Sequence, residues 1–129
     1  SEDTTDMQRE QYDRATTALL SLAKQVADRK RPAYTVGSSD VLANFKRIGD
    51  RTGLTPLAVL DVYFLKHIDS ITAYSDENID QSEPIAQRFA DAINYLLLKF
   101  ALLVEQMGDV EADTFIDLMM ENVENDKRT

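Results

Sequence analysis

Apolar residues recur every three or four positions along most of this chain, the period of a helix with one buried face. Leu19, Leu22, Ala23 and Val26 mark a first helix over about Thr5 to Lys30. It is expected to stop at "RKRPAYTVG", where Pro32 cannot continue a helix and Gly37 permits a turn. "SSD" offers cap groups to a second helix, which carries Val41, Leu42, Phe45 and Ile48 on one face and ends at Gly53. Thr55 as cap and Pro56 as first helical residue open a third, which runs to about Tyr74 with Leu57, Leu60, Phe64, Ile68 and Ile71 as its core stripe. After the polar "SDENIDQ", Ser82 caps a fourth helix that ends at Gly108, with Ile85, Phe89, Ala92, Leu96 and Phe100 as its stripe. A last amphipathic helix covers about Val110 to Val123. Only "AYTV" could form a strand, and it has no partner. The pattern predicts an all-α bundle of four or five helices, a single domain over residues 1–129 with frayed ends at 1–5 and 124–129.

Two helices break their own pattern. "FLKHIDSI" sets Lys66, the single histidine His67 and Asp69 among core-type residues, and "RFADAINYLLL" does the same with Arg88, Asp91 and Asn94. Lys66 with Asp69 and Arg88 with Asp91 stand at i,i+3 and are expected to pair along their own helices. Arg88, Asp91, Asn94 and Tyr95 then form a polar seam beside the fourth stripe. If the third and fourth helices are antiparallel neighbours, the polar edges face one another across a cleft.

Charge narrows what such a cleft would hold. The 129 residues carry a net charge of −9, which opposes nonspecific attraction to a long nucleic acid. The balance is uneven, however. From Lys24 to Arg51 seven basic residues meet three acidic ones, whereas from Glu105 to Thr129 eight acids meet two bases. That distribution suits a small anion, or a second copy whose basic segment meets this chain's acidic tail, so a homo-oligomer is expected. Asn44, Lys46 and Arg47 lie near Ser38 at a helix start, where free N–H groups favour an anion. Lys66, His67 and Arg88 add donors suited to phosphate oxygens, and Tyr34 or Phe45 is placed to stack on a base.

The chain has no cysteine, which removes disulfides and thiolate metal sites. The longest apolar run, Tyr95 to Val104, contains Lys99 and is half of a membrane span. No membrane partner is expected, and cytoplasm is the expected location. Asp109, Asp113, Asp117 and Glu121 recur every four residues on the last helix, the spacing of a solvated face, with Phe115, Leu118, Met119 and Met120 opposite. Phosphate loops, dinucleotide fingerprints and zinc-protease motifs are all missing.

Taken in order, "NFKR", "KHIDSI" and "ADAINY" resemble the phage-associated nucleotide modification-associated family of small helical proteins. More distantly the chain is similar to all-α NTP pyrophosphohydrolases of the MazG and dUTPase type, over about Lys30 to Leu103. The resemblance implies a nucleotide-related role and points to Asn44, Lys66, His67, Asp69, Asp91, Asn94 and Tyr95. It does not extend to catalysis. Those enzymes hold Mg²⁺ between an E-E-x-x-E and an E-x-x-D helix, and here "RFAD" puts Arg88 in place of the first acid. The expectation is a protein that binds a nucleotide or cyclic nucleotide without hydrolysing it and without a cofactor. The alternatives are a Mg²⁺-dependent pyrophosphohydrolase using Asp61, Asp69 and Asp91, and a self-associating interaction protein with no small ligand.

Overall fold

A computed structural model of the protein describes residues 6–35, 37–77 and 85–128, with the side chains of residues 34, 75–77 and 128 outside that description. Five helices follow one another: α1 (Arg9–Thr35), α2 (Ala43–Thr52), α3 (Pro56–Glu77), α4 (Ile85–Glu105) and α5 (Asp109–Arg128). No strand occurs among the described residues, and none of the helices is long and apolar enough to cross a membrane.

Two boundaries correct the sequence reading. Pro32 lies inside α1, which continues to Thr35 and takes in most of the would-be strand. A proline is severe in a helix interior because it removes one ladder bond and crowds the carbonyl four residues back. Here barely one turn follows it, so little is lost, and the stop comes instead near Gly37 at a φ of 78°. At the other end, α5 runs on to Arg128 rather than ending near Val123. Ser82, expected to cap α4, lies outside the described residues.

The short joints behave as their chemistry dictates. Ser38 Oγ accepts the Asp40 N–H and Asp40 Oδ1 accepts the Leu42 N–H, so "SSD" shapes the turn before α2. It does not cap the helix as expected: the cap position falls on Leu42, which makes no side-chain cap bond. Thr55 Oγ1 accepts the Ala58 N–H and caps α3 ahead of Pro56. Between α2 and α3 the backbone turns tightly: a Cβ on Gly49 would stand 2.6 Å from the Leu54 carbonyl oxygen.

α4 is the axis of the molecule. On one side it packs with α2 and α3 around Leu42, Phe45, Val59, Leu60, Tyr95 and Leu102. On the other it meets α1 through Ala23, Val26 and Ala90. α5 departs from this body; its ring contact to the body is Phe115 on Phe100, with centroids 6.1 Å apart.

The face that α4 turns inward overturns the expected stripe. Ala90, Asp91, Ala92, Asn94, Tyr95 and Leu102 are buried, whereas Phe89, Leu96, Leu97, Phe100 and Leu103 are exposed. Most of the polar seam is inside, and the more hydrophobic side of the helix faces out. α1 and α3 approach from two directions and cover an arc that the apolar stripe does not fill.

Candidate functional site

The polar seam divides between two neighbours. Asn94 turns to α1, where its Nδ2 donates to the Ala23 carbonyl at 2.9 Å. Asp91 turns the same way and accepts from Lys30 Nζ at 3.1 Å, its side chain only 6% exposed. Tyr95 turns to α3. It stacks on Tyr63 with centroids 6.2 Å apart and meets the His67 ring at 5.0 Å, while Phe45 packs edge-on to both tyrosines. The space between α3 and α4 at this level is therefore a packed aromatic cluster rather than a cleft.

The expected pairs along each helix are replaced by pairs between helices. Asp91 takes Lys30, not Arg88, and Lys99 bonds Asp61 at 2.9 Å. Lys66 and Asp69 are both exposed, and no ion pair joins them. A buried carboxylate gains more from a lysine reaching in off a facing helix, where water is excluded, than from an exposed neighbour on its own helix. Arg88 is half-buried, and its Nε lies away from solvent without an acceptor among the described residues. The antiparallel register of α3 and α4, fixed by Asp61 with Lys99 and His67 with Tyr95, sets Arg88 level with the stretch near Tyr74. That is well over one turn beyond His67.

The residues around α2 form a second group, and it is largely self-neutralised. Lys46 Nζ donates to Asp40 Oδ2 at 2.6 Å and to Glu105 Oε2 at 2.7 Å, tying α2 to the end of α4. The Lys46 bond, helped by the Leu42 N–H, holds the Asp40 carboxyl below the usual carboxylate range. Conversely, the bonds to Asp40 and then Glu105 push the Lys46 ammonium above its ordinary value. Arg47 donates to Asn44 Oδ1 at 2.8 Å. Tyr34 belongs to α1, but its side chain lies outside the described residues.

A concave site lies nearby, centred on a residue the sequence reading had counted only within the basic segment. Arg31, on the last turns of α1, lines a cavity of about 190 Å³ together with Ala27, Val41, Asn94, Leu97 and Leu98. It also lines a shallower groove of about 540 Å³ with Ser38, Ser39, Pro32 and Gly37. Arg31 and Val41 are common to both, so the two hollows adjoin, the second adding the Ser38 and Ser39 hydroxyls and the Asp28 carboxylate to a largely apolar lining. Of the candidate residues, Ser38 and Asn94 are brought together here. The signal that would have found Arg31 is the "RKRP" run, separated from "SSD" by the five residues "AYTVG": closing that joint sets a cation beside two hydroxyls.

No protein-family model, curated protein or solved structure matches this chain.

Proposed function

We propose that the protein binds a small phosphate-bearing ligand, a nucleotide or cyclic nucleotide, without hydrolysing it. The observation that carries this reading is the two-part hollow at Arg31. Ala27, Val41, Leu97 and Leu98 offer an apolar floor for the face of a base. Arg31, Ser38 and Ser39 offer a cation and two hydroxyls to phosphate oxygens at the mouth. Asn94 commits Nδ2 to Ala23, which leaves its carbonyl oxygen for a ligand N–H. Among the described residues Arg31 is held only by Asp28, at 3.3 Å with side chains 64% and 60% exposed. Such a pair is worth about 0–1 kcal/mol, and a phosphate can displace it.

The non-hydrolytic form of the reading is favoured by how the acids are used. Asp61 and Asp91, which a Mg²⁺-dependent mechanism would draw on, each lie against a lysine. Among the described residues no group of three metal-ligating side chains stands close enough to hold an ion. A second anchoring point is favoured by one observation, the Arg88 Nε buried without an acceptor among the described residues, a condition that costs about 1–3 kcal/mol until an acceptor arrives.

Calorimetry across nucleoside mono- and triphosphates and cyclic dinucleotides tests the reading. Arg31→Ala is expected to weaken binding by about 1.5–3 kcal/mol, the range for hydrogen bonds to charged groups. Arg88→Ala, titrated alongside, reports whether the ligand reaches α3 and α4 as well. No heat from the intact protein with any of these compounds would end the proposal, and Mg²⁺-dependent pyrophosphate release would replace it with the hydrolytic alternative.

A further inference from the structure

The outward side of α4 has a regular pattern of its own. Phe89, Ile93, Leu96, Phe100 and Leu103 follow steps of four, three, four and three residues. That is the spacing of a seam that receives another helix, with knobs from each side filling holes on the other. Among the described residues the chain's own helices cover it only in part: Ile93 packs on α1 with Ala23 and Val26, and the rest stays largely open. Phe89 is 42% exposed, Leu96 53%, Phe100 43% and Leu103 43%. α5 touches the seam through Phe115 at Phe100, and its own Ile116, Met119 and Val123 remain 40–46% exposed.

We infer that this seam is the interface of a homodimer, in which the outer face of α4 packs against the same face of a second copy. Three observations select a second copy as the occupant. The first is the spacing, which asks for a helix rather than a flat surface or a loop. The second is area. The chain exposes 9478 Å², against about 6,900 Å² for a compact monomer of its mass. That excess is spread over the whole chain, α1 and α5 included, and leaves room for the ~800 Å² per partner that a stable interface buries. The third is charge. The molecule carries −9, yet α4 carries Arg88 and Lys99 against Asp91 and Glu105 and is neutral. Positions flanking the seam are Ala92, Leu97 and Val104, with Lys99 turned to Asp61. Two copies can meet along α4 without like charges opposing one another, which is not true along α5 with its four-residue acid ladder. An isologous contact of this kind closes on itself and stops at two copies.

The inference does not rest on the ligand reading, because its test contains no ligand. Sedimentation equilibrium of the full chain at micromolar concentrations is expected to show a dimer. Leu96→Glu places an unpaired charge at the centre of the seam and is expected to raise the dimer dissociation constant at least ~30-fold, the equivalent of the ~2 kcal/mol that marks a central interface residue. Leu103→Glu is a second variant at another seam position and is expected to act in the same direction. Leu96 and Leu103 are already half-exposed in one chain, so the helical circular dichroism of both variants is expected to match the parent. Val62→Glu, on the exposed side of α3 where the side chain is 64% exposed, is expected to leave the dimer intact. A parent chain that sediments as a monomer throughout this range overturns the inference, and so does a dimer that survives both seam substitutions.

Discussion

At the scale of single residues, the polar groups that interrupt α3 and α4 mostly serve the fold. Asn94 satisfies the Ala23 carbonyl, Asp91 is reached by Lys30, and Tyr95 joins an aromatic stack. Each of these depends on a residue far away in sequence, and that is why composition along one helix could not reveal them. Lys46 has a consequence that can be measured. Asp40 has its folded value lowered from 3.8, so its contribution to stability is fully present above that value and is lost as pH falls through the lower folded one. Lys46 has its folded value raised from 10.5, so its contribution is fully present below that value and is lost as pH rises through the higher folded one. With both side chains 35% exposed, solvent screening limits the effect to about 1 kcal/mol or less. The stability difference between the parent and Lys46→Met, followed by urea titration, is expected to be flat from about pH 4 to pH 10 and to shrink beyond either limit. A difference that varies steadily through neutral pH would point to another group.

At the scale of elements, the four or five helices expected were found as five, and the joints at Gly53, Thr55 and Pro56 were legible because caps, glycines and prolines act over four or five residues. Thr55 and Pro56 open α3 as expected, and Gly53 closes α2 with its N–H on the Gly49 carbonyl at 2.8 Å. What could not be read was the angular position at which each neighbour would approach. A wheel drawn for α4 alone puts Phe89, Leu96 and Phe100 in the core, yet the burial of Ala90, Asp91 and Asn94 shows α1 and α3 arriving elsewhere. The floor of the hollow at Arg31 was illegible for the same reason, since it comes from α1, α4 and the joint between α1 and α2 at once. Gly49 offers a test of how tightly one such joint is set. Alanine there gains ~1 kcal/mol of helix propensity, but its Cβ would meet a backbone carbonyl that cannot rotate aside. The expected net result is a loss of about 1–2 kcal/mol, overpacking outweighing propensity. It should appear as a lower urea midpoint at unchanged slope, and an unchanged or higher midpoint would mean that the α2–α3 joint relaxes freely.

At the scale of the whole molecule, two kinds of self-association compete, and salt separates them. The uneven charge suggests contact between the basic segment of one copy and the acidic end of another, which added salt would weaken by screening. Within the chain, however, part of that basic segment is already engaged: Lys30 is paired with Asp91 and Lys46 with both Asp40 and Glu105, and Arg31 more loosely with Asp28. An apolar seam on a neutral helix behaves in the opposite way. Two bodies of −9 repel one another as they approach, and the screening length shortens from ~30 Å at 0.01 M salt to ~10 Å at 0.1 M. Raising sodium chloride across that range is therefore expected to lower the dimer dissociation constant of the parent chain, and sedimentation or light scattering reads the shift directly. A dimer that loosens over the same range would place its contacts between charges and move the interface away from α4. Leu97 gives the seam a second significance, because it stands beside Leu96 on that face and also lines the cavity at Arg31. A copy docked along α4 would lie against the rim of the hollow, so the surface that joins two molecules and the one proposed to hold a nucleotide share a side chain.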